Sequence, residues 1–172
     1  MDPVRVRIAA DLTDAELAGL SAVLVDCVEG GDSVGFMWPL SGEHALAFWR
    51  TVRERLRAGK RCVLLAENPE GELVGTVQLI FSSADNQPHR ADLAKMLVRR
   101  SARGQGVGRA LLVAAEEAAR SRGRTVLVLD TASDAARRLY ERCGWQRVGN
   151  IPDYALWPDG RRCPTTVYYR LL

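Results

Sequence analysis

The sequence predicts one α+β domain, spanning residues 1–172, in which a mixed sheet of seven strands is covered by four helices. Three observations support this prediction. Short apolar runs rich in Val, Leu and Ile recur along the chain and fit strands. Longer segments repeat apolar residues at helical spacing. One strand–helix–strand succession implies a right-handed crossover and a local parallel strand pair. With 172 residues, 47% of them apolar, the chain can bury one full core.

The first half of the chain is predicted to hold two helices and three strands. Thr13 and Glu16 form a capping-box pattern, and leucines at helical spacing follow until Gly30. The turn-forming residues of segment 68–71 lie between two apolar runs and predict a hairpin. The predicted strands are 4–8, 62–66 and 73–81, and the predicted helices are 13–30 and 41–59, with an irregular loop at 32–39 between them.

The second half continues with four strands and two helices. A polar connection at 82–90 precedes it, and Gly144 is expected to end the last helix. The run at 124–129 is β-branched and fits a buried central strand. The predicted strands are 93–98, 124–129, 145–148 and 165–171, and the predicted helices are 105–122 and 136–143.

The segment RGQGVGR at 103–109 lies where a predicted strand gives way to a helix. Its glycines allow a tight turn, and bare amides at a helix N-terminus favour an anion such as a phosphate. Arg103 and Arg109 flank the turn and can add charge-assisted hydrogen bonds. A P-loop sequence is absent, and a dinucleotide fingerprint would need glycine at position 109. Glycine-rich turns also occur in loops that bind nothing, so the turn by itself leaves both interpretations open.

The spacing Arg103-x-x-Gly106-x-Gly108 resembles the signature of the GCN5-related N-acetyltransferases (GNAT), which is Gln or Arg, two residues, Gly, one residue, then Gly or Ala. The segment 136–145 resembles the second conserved block of that family. The resemblance implies a mostly antiparallel sheet whose fourth and fifth strands are parallel and splayed, and acetyl-CoA as co-substrate. It assigns cofactor contacts to Met96, Leu97, Val98, Arg103, Gly104, Gln105, Gly106, Val107, Gly108, Arg109 and Ser133.

Acetyl transfer to an amine needs a base for the amine and an acid for the leaving thiolate. Tyr140 matches the tyrosine of the second block and is the predicted acid, with a plain core tyrosine as the alternative. Asp130 follows a predicted buried strand and is the predicted base, acting directly or through water. The alternative for Asp130 is a cap for the helix that follows.

A closer resemblance links segments 31–37, 95–98, 101–104, 129–131, 151–160 and 164–169 to the tabtoxin-resistance acetyltransferases. That family acetylates the amine of a small amino-acid-like β-lactam toxin. The resemblance implies an amine of an amino-acid-like antibiotic or toxin as acceptor, reached through a ternary complex. Protein or peptide N-terminal acetylation and non-catalytic acetyl-CoA sensing are the alternatives. The expected acceptor-side residues are Asp32, Ser33, Phe36, Met37, Asp92, Tyr154 and Trp157.

Composition limits the remaining classes of function. The net charge of +3 is weak and spread along the chain, which argues against nucleic-acid binding but suits a polyanionic cofactor. Four separated cysteines without CxxC spacing are expected to be reduced, with no metal site. No apolar run is long enough for a membrane span. We therefore expect a cytoplasmic enzyme. Members of the family that it resembles are often dimers, so we also expect a homodimer.

Overall fold

The computed structural model describes residues 4–172, and within them one seven-stranded sheet forms the centre of the molecule. The spatial order is β1-β2-β3-β4-β5-β7-β6, and every neighbouring pair is antiparallel except β4 with β5. The strands are β1 (Arg5–Ile8), β2 (Arg61–Glu67), β3 (Leu73–Phe81), β4 (Arg90–Val98), β5 (Val126–Thr131), β6 (Gln146–Leu156) and β7 (Arg162–Leu171).

Two helices cover each face of this sheet, and each pair encloses its own core. Alternation along β2 shows why: Val63 and Leu65 face one core, whereas Cys62 and Leu64 face the other. The first core contains α1 (Asp14–Glu29) and α2 (Gly42–Arg57), and the second contains α3 (Val107–Arg120) and α4 (Asp134–Arg142). The predicted mixed α+β fold with seven strands and four helices is confirmed.

The parallel pair β4–β5 is short, and this opens the sheet. Only three residue pairs are in register, the last being Asp92 with Val128. Beyond that pair the two strands separate. On its other side β4 carries a bulge, because its partners on β3 pass from Gln78↔Ala94 to Thr76↔Leu97. The splay predicted between the fourth and fifth strands is therefore present.

The largest departure from the predicted elements is β6, which runs over eleven residues where the sequence predicted 145–148. In the sequence, Pro152 and Asp153 are typical of a loop. In the structure they lie at a second irregularity of the β6–β7 register, where Asp153 has φ +51°. A strand at the sheet edge tolerates both features. Strand β7 likewise begins at Arg162 rather than at 165, because it pairs with this extended β6.

Candidate active site

A cleft of about 1390 Å³ opens where β4 and β5 diverge. The starts of α3 and α4, the loop between α1 and α2, and the β6–β7 hairpin complete its walls. Cationic side chains outnumber carboxylates along it. The cations are Lys95, Arg103, Arg109, Arg138, Arg142 and Arg170, and the carboxylates are Asp32, Glu116 and Asp130. The balance suits a polyanionic ligand.

The N-terminus of α3 forms the donor end of the cleft. Gly106 caps the helix with φ +83°, which glycine adopts without strain, and no side chain accepts a hydrogen bond at the cap. The Ala110 amide donates to the Gly106 carbonyl, so the three preceding helical amides have no intrahelical acceptor. Bare amides and the helix dipole together make an anion site.

Most of the predicted cofactor residues line this cleft, but two do not. Leu97 is 1% exposed and its side chain lies in the α1–α2 core. Gln105 donates from Nε2 to the Ser101 carbonyl oxygen at 2.9 Å, outside the cleft lining. The predicted residues that line it are Met96, Val98, Arg103, Gly104, Gly106, Val107, Gly108, Arg109 and Ser133.

Gly108 lies within α3 rather than in the turn. A Cβ at this position would come within 3.0 Å of Leu139 Cδ2 on α4. Its φ is not positive, unlike those of Gly104 and Gly106. The third glycine of the motif therefore permits close helix packing, whereas the first two permit the turn.

Arg103 connects the donor end to the loop between α1 and α2. Its Nε donates to the Val98 carbonyl oxygen at 3.1 Å, and its Nη2 pairs with an Asp32 carboxylate oxygen. Burial by itself would lower the pKa of Arg103, but the charge and hydrogen bond of Asp32 outweigh it and the pKa is raised.

Burial, with the nearby Asp32 charge, raises the pKa of the adjacent Cys27 thiol to about 11. Cys27 is therefore a neutral thiol near neutral pH.

Tyr140 belongs to both the core and the cleft. Its side chain is 3% exposed, and its ring centroid lies 5.7 Å from that of Trp145 and 6.0 Å from that of Tyr168. Burial, followed by the negative charge of Asp130, raises its pKa well above the ordinary value of 10. Within residues 4–172 its hydroxyl has no hydrogen-bond partner. The phenol is thus protonated and able to donate.

Asp130 lies at the exposed end of β5 and lines the cleft. Its Oδ2 accepts a hydrogen bond from Thr165 Oγ1 at 2.8 Å, and Thr165 is itself buried. The alternative role as a helix cap is wrong for Asp130. Ser133 caps α4 instead, because its hydroxyl accepts from the Ala136 amide at 3.3 Å. Asp130 is therefore free to act on a ligand.

At the acceptor end, hydrogen bonds between distant parts of the chain join two walls of the cleft. Ser33 Oγ donates to the Leu156 carbonyl oxygen at 3.0 Å, and the Trp38 amide donates to the Pro158 carbonyl oxygen at 3.1 Å. These bonds join the α1–α2 loop to the β6–β7 hairpin. Tyr154, on the same hairpin, also lines the cleft.

Four residues expected on the acceptor side lie outside the cleft lining. Phe36 packs edge-on against Phe48, with ring centroids 5.2 Å apart. Met37 is 47% exposed. Asp92 pairs with Arg90 through atoms Oδ1 and Nη1, 3.0 Å apart. Trp157 lies in the hairpin turn, where its amide donates to the Arg161 carbonyl.

Lys95 was not among the predicted site residues, yet it lines the cleft at the β4 bulge. Its backbone has φ +50°, which is uncommon for a residue other than glycine. The sequence did contain a signal: Lys95 is one of only two lysines, and it interrupts an apolar strand. A bulge cannot be read from that pattern, because register depends on the partner strand.

Three further features of the described chain concern metal ligands, membrane-spanning helices and cysteines. Across residues 4–172, no group of three or more His, Cys, Asp or Glu side chains could hold a metal ion. None of the four helices in this part of the chain is long and apolar enough to cross a membrane. All four cysteines are free thiols, and three of them are buried.

The splayed strand pair, the anion site and the adjacent buried tyrosine define the site of an acyl-transferring enzyme. The sequence profile of the acetyltransferase (GNAT) family matches residues 24–145. An uncharacterized N-acetyltransferase from the hisH–hisA intergenic region of Azospirillum brasilense is 32% identical over 163 residues, or 91% of this chain and 94% of the relative. The chain belongs to the GNAT family and is an acetyl-CoA-dependent N-acetyltransferase.

Solved structures share the fold over nearly the whole chain. The ribosomal-protein-alanine N-acetyltransferase from Brucella melitensis has 29% sequence identity and a TM-score of 0.78, covering 98% of this chain and 99% of that one. A protein from Salmonella typhimurium assigned as an acetyltransferase, whose structure contains its cofactor acetyl-CoA, has 22% identity and a TM-score of 0.76, covering 99% and 95%.

Proposed function

We propose that this enzyme transfers the acetyl group of acetyl-CoA directly to the amine of a small amino-acid-like molecule, with both substrates bound together. The observation that carries the proposal is that two walls of the acceptor end are joined to each other. Ser33 and Trp38 of the α1–α2 loop are hydrogen-bonded to the β6–β7 hairpin. A cleft with joined walls suits a small molecule better than an extended peptide, which needs an open groove.

The donor would lie along the opened edge of β4. The amides at the start of α3 and the side chain of Arg109 would bind its pyrophosphate. The strand segment at Met96 and Val98 would bind the pantetheine arm through backbone groups left unpaired by the splay. Leu97 would contribute only backbone, because its side chain is buried in the core. A donor bound in this way would bring its thioester near Tyr140, which lines the same cleft.

The transfer needs three proton movements. Asp130, directly or through a water, would accept a proton from the acceptor ammonium, so that the amine nitrogen can attack the thioester carbon. As the carbon–sulfur bond breaks, Tyr140 would donate its phenolic proton to the departing thiolate. The nitrogen would then lose its second proton, directly or through water, to the Tyr140 phenolate, which leaves a neutral amide. The products are the N-acetylated acceptor and CoA. The raised pKa of Tyr140 keeps this proton in place at neutral pH.

Acetylation of a protein N-terminus is the second candidate. It is favoured by the likeness to the Brucella melitensis enzyme, whose description names a ribosomal-protein alanine as its acceptor. An extended peptide would have more room at the acceptor end if the α1–α2 loop left the hairpin. The tie between Ser33 and Leu156 is therefore the feature that separates the two candidates.

A thiol-release screen tests the proposal. Wild-type enzyme with acetyl-CoA is presented with amino acids, amine antibiotics, polyamines and alanine-first peptides at equal concentration. Turnover of amino acids or amine antibiotics above the peptides is the expected result. Faster turnover of peptides would favour the second candidate. Acetyl-CoA binding without turnover of any amine would point to a sensor and contradict the proposal.

The closer resemblance to the tabtoxin-resistance acetyltransferases leads us to propose detoxification of an amino-acid-like antibiotic or toxin as the physiological role. A cytoplasmic location and a homodimer belong to the same proposal. Expression in a sensitive host, followed by growth on candidate antibiotics, would test the role. Sedimentation of the purified enzyme would test the dimer.

A further inference from the structure

The β4 bulge turns Lys95 toward the acceptor end of the cleft. Lys95 and Met96 together oppose the single residue Val77 on β3. The Lys95 side chain lies on the α1–α2 face, where it approaches Phe36 and Phe48. Left-handed backbone at a residue other than glycine costs on the order of 1 kcal/mol and persists where the surroundings hold it. The strain is stored at a cleft residue.

The ammonium of Lys95 has few compensating contacts. Its Nζ donates to the Val34 carbonyl oxygen at 2.8 Å. Two aromatic faces lie near it, with Phe36 and Phe48 ring centroids 5.8 Å and 5.7 Å from Nζ. No carboxylate between residues 4 and 172 lies within salt-bridge distance of Nζ. A partly buried cation without a counter-ion is costly, so a ligand anion would stabilise it.

Neighbouring groups on this face add donors rather than acceptors. Arg61 Nη1 donates to Gln78 Oε1 at 2.6 Å, and Arg61 forms no ion pair with the part of the chain described. Gln78 Nε2 is buried without an acceptor. The nearby Asp92 is already paired with Arg90. Positive charge and unpaired donors therefore predominate around Lys95.

The ionisation of Lys95 agrees with this environment. Burial lowers its pKa below the ordinary value, and the positive charge of Arg61 lowers it further, whereas Asp130 opposes both effects. An anionic group bound at Nζ would add to the effect of Asp130. The ammonium would then be held in its charged form.

We propose that Lys95 binds a carboxylate of the acceptor, while Asp130 lies beside the acceptor's amine. The inference rests on the proposed function and narrows it, because it makes the acceptor an amino acid with a free acid group rather than a simple amine. The two oppositely charged side chains line one cleft and would orient such a molecule. The nitrogen would then face the thioester.

The wild-type protein allows a direct test, because Lys60 and Lys95 are its only lysines. In protein labelled with 13C at lysine Cε, NMR should give one signal from each. The probes are the L-α-amino acids, β-alanine and γ-aminobutyrate, each compared with its carboxamide, in the presence of CoA. At least one acid should shift the Lys95 signal while its amide does not, and exposed Lys60 should stay unchanged.

Substitution tests the same inference kinetically. Lys95→Met keeps the length of the side chain and removes its charge. The KM of an acid acceptor should rise about 10- to 100-fold, since a hydrogen bond to a charged group contributes about 1.5–3 kcal/mol. The KM of its amide and that of acetyl-CoA should stay unchanged. Lys95→Arg should recover part of the preference for the acid, and Lys60→Met should behave as wild type.

The outcomes separate this inference from the proposed function. If small amines are acetylated but acids and amides shift the Lys95 signal equally, or not at all, the inference is wrong and the proposed function stands. The inference is also wrong, again without harm to the proposed function, if Lys95→Met slows acids and amides alike. If only peptides are acetylated, the proposed function fails. The NMR comparison then still decides whether Lys95 binds carboxylates.

Discussion

The donor end of the cleft is built mainly from backbone, whereas the acceptor end is held by hydrogen bonds between segments far apart in the sequence. At the donor end, the Gly106 cap and the start of α3 are neighbours along the chain. At the acceptor end, Ser33 reaches Leu156, and Asp32 reaches Arg103. Local backbone geometry leaves a motif in the sequence, but long-range contacts leave none. The two ends should also respond differently to substitution.

The largest expected effect lies where the two ends meet, at Tyr140. Tyr140→Phe should lower kcat by about 10²-fold or more, because it removes the proposed acid, with unchanged affinity for acetyl-CoA. Stability should change little, because the hydroxyl has no partner within residues 4–172.

Tyr168→Phe is the matched control for that experiment. This neighbouring tyrosine donates from its hydroxyl to Glu141 Oε1 at 2.7 Å. Its substitution should cost about 1 kcal/mol of unfolding free energy and leave kcat near wild type. Equal kcat values for the two variants would contradict a special role for Tyr140. Steady-state kinetics and thermal unfolding measure both quantities.

The next effect isolates the donor end. Gly106→Trp forces a bulky residue into positive φ at the anion site, and it should weaken acetyl-CoA binding about 100-fold, or about 2.7 kcal/mol. Gly59→Trp carries the same kind of backbone strain outside the cleft lining, since Gly59 has φ +67° and open space around it. Calorimetry should show normal binding by Gly59→Trp. Normal acetyl-CoA binding by Gly106→Trp would show that the donor does not bind at this turn.

At the acceptor end, Ser33→Ala should act on the acceptor alone. It removes the hydrogen bond to the Leu156 carbonyl, which contributes about 1 kcal/mol, so the acceptor KM should rise roughly 5-fold. Ser82→Ala removes a similar bond, to Gln87 Oε1 at 2.9 Å, outside the cleft. It should leave both Michaelis constants unchanged. A matching loss of acetyl-CoA affinity in Ser33→Ala would show that the two ends are not separate.

Asp32 tests the same distinction between the two ends, because it was expected on the acceptor side but pairs with Arg103 of the donor end. Asp32→Asn removes a negative charge beside the donor site, so acetyl-CoA should bind roughly 3-fold more tightly at low salt, and less so at high salt. Asp14→Asn removes a negative charge outside the cleft lining and should leave the acetyl-CoA affinity unchanged. An effect of Asp32→Asn confined to the acceptor KM would instead support a contact between Asp32 and the acceptor ammonium.

The smallest effect concerns charge coupling across the cleft. Asp130 raises the pKa of both Tyr140 and Lys95. Asp130→Asn should therefore lower both values, so that Tyr140 begins to lose its proton at a lower, still alkaline, pH. Titration by NMR of labelled tyrosine and lysine measures this. Unchanged pKa values would mean that Asp130 is too far from Tyr140 and Lys95 to influence their ionisation.

The fold and the donor end could be predicted because their signals are local. Apolar spacing located four helices and seven strands, and the glycine spacing around Gly106 located the start of α3. The end of β6 was missed because Pro152 and Asp153 are turn-forming residues, and only pairing with β7 makes that segment a strand. Such pairing depends on residues outside the local window.

The acceptor end was only partly predictable for the same reason. Phe36 and Trp157 are aromatic residues in loops, and the sequence does not show whether they face the cleft or pack elsewhere. Lys95 was overlooked because a strand pattern assigns one side chain to each face in turn, and a bulge breaks that alternation. Asp130 gave two balanced interpretations until Ser133 proved to be the helix cap.

The close approach of Gly108 to Leu139 lets two parts of the catalytic apparatus pack closely together. Helix α3 carries the proposed pyrophosphate anchor, and α4 carries Tyr140 one residue after Leu139. An added methyl group would stand 3.0 Å from Leu139 Cδ2, so either the Leu139 side chain or α4 itself would have to shift by a few tenths of an ångström. One absent methyl group thus helps to keep the proton donor close to the point where the long co-substrate is anchored.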